Sequence, residues 1–224
     1  MIHNVLLIVE GKTEGKAQVF GKGVQNILRD ECKLMREQGI RFHTLCKNGK
    51  DDLVSNVDFD VRQHLEPQQK WLEKLARQGS LPGDYVYILR DLDCEDETVV
   101  RQELYQHINP KYHTKIEIHF AVQEIETWMI ADPAGFCAVY RNVSPKLGQD
   151  IQNLTPLGKS PESIDCDPMP STRLERIVNR FYKPYRKTIE GPQALALINP
   201  DVVASRCPHF DAFRTSLRQN IDWK

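Results

Sequence analysis

Two short apolar runs, each followed by acidic residues, dominate the hydrophobic pattern of the chain. Residues 5–9 are all apolar and lead directly to Glu10, and residues 85–89 lead to Asp91 and Asp93. Uninterrupted apolar runs of this length are typical of strands that are buried on both faces of a parallel sheet. We therefore expect two central strands with carboxylates at their carboxyl ends.

Segments with weaker strand or helix periodicity lie between and after these runs. The pattern predicts two further strands and three helices, the strands at residues 40–46 and 115–121 and the helices at about 13–39, 61–78 and 97–108. The polar stretch 47–52 is expected to be a loop. Strands that alternate with helices predict an α/β fold, Rossmann-like, with a mostly parallel, doubly wound sheet.

The second half of the chain divides by composition. Residues 1–143 carry the strand and helix pattern. Residues 144–171 are rich in Pro, Ser and Asp and lack periodicity, so they predict a loop or lid over the edge of the sheet. Residues 172–224 predict a helical appendage that is packed on the same domain.

Composition adds few constraints. The chain has 224 residues, of which 40% are hydrophobic and 27% charged, and its formal net charge is −1, so any binding of nucleic acid has to depend on a local basic surface. The six cysteines are dispersed without a C-x-x-C pair, and we expect free thiols rather than a zinc site or disulfide framework. No apolar stretch reaches membrane-spanning length and no signal peptide is evident, which favours a cytoplasmic protein.

The acidic residues predict a metal site. In an open α/β sheet, ligands bind beyond the carboxyl ends of the strands, where Glu10, Asp91 and Asp93 are expected to converge. Carboxylates that converge repel one another unless a cation lies between them, and oxygen ligands favour Mg²⁺ or Mn²⁺. Such a centre suits phosphodiester hydrolysis or transfer. Asp91 and Asp93 have a simpler interpretation as the end of a strand and the cap of the next helix.

The motifs VEGKTE after the first strand and RDLD at the third resemble the Toprim superfamily, the metal-binding domain of topoisomerases, DnaG-type primases and OLD-family nucleases. The resemblance implies that Glu10 is a general acid or base and that Asp91 and Asp93 hold Mg²⁺. The third motif of the family, matched by VQEIETWMIAD, suggests Glu124 or Glu126 as a further metal ligand.

The combination of these motifs with GPQALALINP and RCPHF is similar to a small bacterial family of unknown function that includes stand-alone Toprim-like proteins. Such proteins are often encoded beside an ABC or AAA-type ATPase in phage-defence loci. The resemblance therefore implies a metal-dependent nuclease that acts as an effector with an ATPase partner. It covers nearly the whole chain.

Basic residues near these motifs are candidates for contacts with nucleic acid. Lys12 follows the first strand, and four more candidates lie in the C-terminal segment, namely Arg180, Lys183, Arg186 and Lys187. Beside a metal site they can bind a phosphate backbone. The simpler interpretation is a set of solvated side chains, and both interpretations stay open.

Three other functions fit parts of this sequence pattern. A Walker A loop is excluded because residues 11–13 lack the glycine that must precede GKT. A phosphatase of the haloacid-dehalogenase type normally opens the chain with its D-x-D strand, whereas here that strand comes third. The alternative that remains is a non-catalytic or conditionally active subunit, which binds a partner ATPase or nucleic acid.

Overall fold

The structure is a computed structural model, and it describes residues 4–11, 23–67, 84–140, 144–181 and 183–221. In these ranges the chain forms an α/β fold in which helices cover both faces of one parallel sheet. None of the helices in these ranges is both long enough and apolar enough to cross a bilayer.

The sheet has four strands in the order β2-β1-β3-β4, and all neighbours are parallel. The strands are β1 (Asn4–Glu10), β2 (Arg41–Lys47), β3 (Tyr85–Asp91) and β4 (Ile116–Ala121). The predicted parallel α/β sheet is therefore confirmed. Because β2 lies on one side of β1 and β3 on the other, the chain reverses its winding direction between β1 and β3.

Helices connect the strands and form most of the C-terminal half. They are α1 (Arg29–Glu37), α2 (Lys50–Leu65), α3 (Glu97–His107), α4 (Glu126–Ala131), α5 (Pro133–Cys137), α6 (Pro145–Gln152), α7 (Pro170–Asn179), α8 (Glu190–Leu197), α9 (Pro200–Arg206) and α10 (Pro208–Ile221). Residues 23–27 are also helical and lead into α1. Two short 3₁₀ helices are Pro110–Lys115 and Pro161–Ser163.

Alternate residues of the central strands point to two separate cores. On one face, Leu6 and Ile8 pack with apolar residues of α2 and α3. On the other face, Leu7 and Tyr87 pack with the helices at residues 23–37 and with those of the C-terminal half, as far as Leu217. The second core thus contains side chains from all three predicted segments, 1–143, 144–171 and 172–224. The C-terminal helices therefore help to cover the hydrophobic face of the sheet.

The predicted boundaries were wrong around α2. The helix begins at Lys50, inside the stretch that was expected to be a loop, and Asp51 and Asp52 form its acidic first turn, where the helix dipole stabilises them. Gly49 precedes the helix with a φ of 102°, a left-handed conformation that glycine adopts without strain. Residues 68–78 of the predicted helix lie outside the described ranges.

Residues 144–171 are more ordered than an irregular loop. Helix α6 lies in this segment, and its Leu147 and Ile151 are buried in the second core. Ser144 caps this helix by accepting a hydrogen bond from the backbone N–H of Lys146. The apolar residues Leu147 and Ile151 are spaced four apart, but the helix has only eight residues, too few for the pattern to be distinctive.

The expectation that all six cysteines are free thiols was wrong for one pair. Cys94 and Cys166 form a disulfide that joins the loop after β3 to the segment before α7. Cys32, Cys46, Cys137 and Cys207 are free thiols. A sequence separation of 72 between the bonded residues left no local spacing from which the pair could be predicted.

His209 of α10 joins three segments. Its Nδ1 lies 3.0 Å from Glu162 Oε2, and its Nε2 lies 3.1 Å from Glu97 Oε2. The hydrogen bond with Glu162 raises the pKa of His209 to about 9, burial opposes this increase, and Glu97 adds to it. The imidazolium is therefore held between two carboxylates.

We expect this contact to make stability depend on pH. Because the pKa of His209 is raised from 6.5 to about 9, the protonated ring stabilises the fold fully below about pH 6.5, and this contribution is lost as the pH rises toward 9. The unfolding free energy is measured with urea at about pH 6 and about pH 9.5. It should fall more between these pH values for wild type than for His209→Gln. His107→Gln, which changes an exposed residue at the end of α3, is the control. An equal loss of unfolding free energy in wild type and His209→Gln would contradict the prediction.

Candidate functional site

The candidate site lies at the carboxyl edge of the sheet, beyond the ends of β1 and β3. Glu10 is the last residue of β1, and Asp91 is the last residue of β3. The strands are neighbours, with Val9 paired to Leu89, so both carboxylates reach the same edge. Since the winding direction reverses between these strands, this edge is the position where open α/β sheets bind ligands.

The loop after β3 has an unusual backbone. Asp93 and Cys94 have φ values of 47° and 68°, and Gln123, after β4, has a φ of 64°. The backbone N–H of Asp93 donates to the carbonyl oxygen of Gln123 at 2.8 Å, and the Gln123 amide donates to the carbonyl oxygen of Ile164. These contacts and the Cys94–Cys166 disulfide attach the Asp93 loop to its neighbours.

The ammonium group of Lys187 lies among three carboxylates. Its Nζ is 3.0 Å from Glu124 Oε1, 3.2 Å from Glu126 Oε2 and 3.9 Å from Asp91 Oδ2. Asp91 comes from the end of β3, Glu124 and Glu126 come from the turn into α4, and Lys187 comes from the segment between α7 and α8. The structure thus brings together three of the four predicted metal ligands around a lysine that was predicted to contact nucleic acid.

Other groups hold the remaining oxygen atoms of these carboxylates. The backbone N–H of Ile125 donates to Asp91 Oδ1 at 3.0 Å, and the backbone N–H of Ser171 donates to Glu124 Oε2 at 2.8 Å. The Tyr185 hydroxyl donates to Glu126 Oε1 at 2.9 Å. Each carboxylate is therefore fixed on one oxygen by a hydrogen bond, while its other oxygen faces the Lys187 ammonium.

Burial and charge shift the pKa values in this cluster in different directions. Burial raises the pKa of Asp91 well above its usual value and also raises that of Glu126, although Lys187 opposes both shifts. Burial acts in the same sense on Glu124, but Lys187 and Ser171 outweigh it and lower the pKa. Burial disfavours the Lys187 ammonium, yet the three carboxylates outweigh burial and raise its pKa.

Glu10 belongs to a second ionic network, on the other face of the sheet. The buried Arg90 places Nε 3.5 Å from Glu10 Oε2 and Nη2 2.6 Å from Glu95 Oε2. A third carboxylate, Glu103 of α3, lies 3.4 Å from Arg90 Nη1. The negative charge of Glu10 also contributes to the raised pKa of Asp91, after burial and the charge of Glu126.

The remaining predicted residues lie apart from this cluster. Asp93 is exposed, and its charge raises the pKa of Asp91. Arg180 is exposed at the end of α7, Lys183 is half-buried, and Arg186 pairs with Glu190 at 2.6 Å. Lys12 lies outside the described residues.

Comparison with known proteins identifies the family. The family model described as a domain of unknown function, DUF4276, matches residues 9–218. The chain belongs to the DUF4276 family. No curated protein and no solved structure matches it.

The residue types of the DUF4276 site fit a divalent metal ion. Asp91, Glu124 and Glu126 offer only oxygen atoms, the ligands that Mg²⁺ and Mn²⁺ prefer. With all three ionised, the cluster including Lys187 has a net charge of about −2, which one divalent cation neutralises. The arrangement of the side chains differs from that of a metal site. Within the described ranges, no group of three or more His, Cys, Asp or Glu side chains is placed so that it could hold a metal ion. In the acidic cluster, the ammonium group of Lys187 lies between the three carboxylates.

Three contributors to the site were missed in the sequence. Arg90 interrupts the apolar run of β3, and a charged residue in a buried strand signals that a carboxylate must lie nearby. Tyr185 and the backbone of Ser171 gave no comparable signal, because their contacts with Glu126 and Glu124 join residues distant in the sequence.

We expect Lys187→Gln to destabilise the DUF4276 chain and to create a dependence on divalent cations. The change leaves two buried carboxylates, Glu124 and Glu126, and the partly buried Asp91 without their counter-charge, which should cost about 3 kcal/mol in unfolding free energy. Thermal unfolding with EDTA, Mg²⁺ or Mn²⁺ measures the effect, and the cations should recover part of the lost stability. Lys183→Gln is the control, and an unchanged melting temperature in Lys187→Gln would refute the expected role.

Proposed function

We propose that this DUF4276 chain is a Toprim-like nuclease that uses Mg²⁺ or Mn²⁺ to hydrolyse phosphodiester bonds in DNA or RNA. The observation that carries the proposal is the grouping of Asp91, Glu124 and Glu126 around Lys187 at the switch point of a parallel sheet, where Glu10 ends the neighbouring strand. The motif VEGKTE supplies Glu10 and the motif RDLD supplies Asp91 and Asp93, and both motifs resemble those of Toprim proteins. Glu124 and Glu126 follow β4, in the stretch VQEIETWMIAD.

The proposed roles follow from the surroundings of each residue. Asp91, Glu124 and Glu126, with Asp93 at the rim, would hold the cation, which would polarise a phosphoryl oxygen and activate water when bound. Glu10 transfers a proton as general acid or base, and Arg90 orients it from within the sheet. Lys187 neutralises part of the carboxylate charge while no substrate is bound, and a phosphate group competes for its ammonium when substrate arrives.

The position of Lys187 also favours a second candidate function, that of a conditionally active subunit. A lysine that already pairs with three carboxylates competes with any cation for the same oxygen atoms. A partner that draws the segment between α7 and α8 away from the sheet would release them. The partner suggested by the Toprim-like resemblance is an ABC or AAA-type ATPase of an anti-phage system.

Metal-dependent cleavage is the direct test of the proposed function. The purified protein is incubated with plasmid, single-stranded DNA, total RNA and the small diester bis(p-nitrophenyl) phosphate in Mg²⁺, Mn²⁺ or EDTA. We expect cleavage only with a divalent cation, and a loss of about 100-fold or more in Glu10→Gln and in Asp91→Asn. Glu175→Gln, which changes an exposed carboxylate of α7, should retain full activity.

The outcomes separate the two candidates. Cleavage that is equal in wild type, Glu10→Gln and Asp91→Asn would overturn the site assignment. The conditionally active subunit would be favoured if wild type binds Mg²⁺ or Mn²⁺ but cleaves no substrate, and if Asp91→Asn abolishes this binding. In that case an ABC or AAA-type ATPase, the partner that the Toprim-like resemblance suggests, is the first protein to add.

A further inference from the structure

The disulfide between Cys94 and Cys166 lies at the rim of the carboxylate site. Cys94 directly follows Asp93 in the loop after β3, and Cys166 belongs to the segment before α7. Both cysteines are exposed, so a thiolate from solvent can reach their sulfur atoms. Exposed disulfides exchange readily with thiols and serve in regulation, whereas structural disulfides resist reduction. This bond is therefore accessible to a soluble reductant.

The four free thiols of the chain are unsuited to exchange with this bond. Burial raises the pKa of Cys32 and that of Cys137 to about 11, and it also raises the pKa of Cys207. Because the thiolate is the form that attacks a disulfide, these three cysteines are poor nucleophiles. The fourth, Cys46, lies in β2, which is separated from β3 by β1. Opening the disulfide therefore needs a thiol from outside the chain.

The loop on the β3 side of the bond has a backbone that needs a restraint. Asp93 and Cys94 are consecutive residues in the left-handed region, with φ values of 47° and 68°. Residues other than glycine adopt this region at a cost in free energy, so the surrounding structure must hold them there. The disulfide restrains this loop together with the backbone N–H of Asp93, which donates to the carbonyl oxygen of Gln123 at 2.8 Å. Opening the disulfide removes the covalent restraint.

The segment on the other side of the bond is held by further contacts. Ile164 and Pro170, near its two ends, are buried. The guanidinium group of Arg173 donates to three carbonyl oxygens of the segment, those of Pro168 at 2.6 Å, Asp165 at 3.0 Å and Asp167 at 3.1 Å. These contacts do not depend on the disulfide. When the bond opens, the Asp93 loop is therefore the part that relaxes.

We propose that Cys94 and Cys166 form a redox clamp, which a dithiol opens by thiol–disulfide exchange and which then releases the Asp93 loop. In the first step a thiolate of the dithiol attacks one sulfur of the pair, the S–S bond breaks, and the other cysteine leaves as a thiolate that takes up a proton. The second thiol then attacks the mixed disulfide, which frees the remaining cysteine and converts the dithiol into a disulfide. Two electrons and two protons thus pass from the dithiol to the cysteine pair.

Release of the loop bears on the binding of a cation. Asp93 is the proposed ligand at the rim of the site and lies two residues after Asp91. While the clamp is closed, the position of Asp93 is fixed before a cation arrives. Once it is open, the loop must be ordered at the moment of binding, which weakens the affinity. This consequence rests on the proposed function, whereas the release of the loop does not.

Hydrogen exchange measures the release of the loop directly. Wild type is compared in its oxidised form and after reduction with dithiothreitol, and a thiol titration after removal of the reductant should count six thiols instead of four. The backbone amides of Asp93 and Glu95 should exchange about 10-fold faster in the reduced form, because the loop opens more often. The amide of Ser171, which donates to Glu124, should exchange at an unchanged rate.

A cysteine variant reproduces the open clamp without a reductant. Cys166→Ser leaves the residues of the Asp93 loop unchanged, so its amides should exchange as in reduced wild type and should not respond to dithiothreitol. Cys32→Ser, which removes a free thiol, is the matched control and should keep the wild-type response. Circular dichroism checks that each variant is folded. Equal exchange at Asp93 in oxidised and reduced wild type, or a disulfide that dithiothreitol does not reduce in the folded chain, would overturn the proposal.

Calorimetric titration with Mg²⁺ tests the consequence for the site. Reduced wild type and Cys166→Ser should bind Mg²⁺ about 10-fold more weakly than oxidised wild type. Equal Mg²⁺ affinity in the oxidised and reduced forms would overturn the link between the redox clamp and the site. Faster exchange at Asp93 without Mg²⁺ binding by either form would support the clamp and would contradict the proposed function, so the two failures are distinguishable.

Discussion

The ammonium group of Lys187 is the interaction on which the edge of the sheet depends. Removing a carboxylate from water costs several kcal/mol unless an opposite charge and hydrogen bonds replace the lost solvation. Asp91, Glu124 and Glu126 receive both, the charge from Lys187 and the hydrogen bonds from Ile125 N–H, Ser171 N–H and Tyr185. The C-terminal helices therefore do more than cover a hydrophobic face, because they position the lysine and tyrosine that let acidic residues be buried.

The order of the strands explains why two ionic networks meet at one edge. Adjacent residues of a strand point to opposite faces, so Arg90 and Asp91 belong to different sides of the sheet although they are neighbours in the chain. Arg90 gathers Glu10, Glu95 and Glu103 on one side, and Asp91 joins the Lys187 cluster on the other. At the carboxyl end of the strands the negative charge of Glu10, on one side, contributes to the raised pKa of Asp91, on the other.

Local sequence patterns predicted the central strands and the positions of Glu10 and Asp91, because a buried parallel strand is a continuous apolar run. The sequence could not predict which cation accompanies the carboxylates, because Lys187 is one of several basic residues in its segment. The start of α2 was missed because acidic residues such as Asp51 and Asp52 are common both in loops and in the first turn of a helix. The Cys94–Cys166 pair depends on contacts between distant segments, which no spacing reveals.

Lys187 is synthesised after the three carboxylates with which it pairs. A ribosome releases a protein from its N-terminus, so all four sheet strands and all three carboxylates emerge before the lysine that compensates them. Until Lys187 is synthesised, the three carboxylates lack this counter-charge. A chain that stops before Lys187 also lacks the helices α8, α9 and α10, which contribute side chains to the second core.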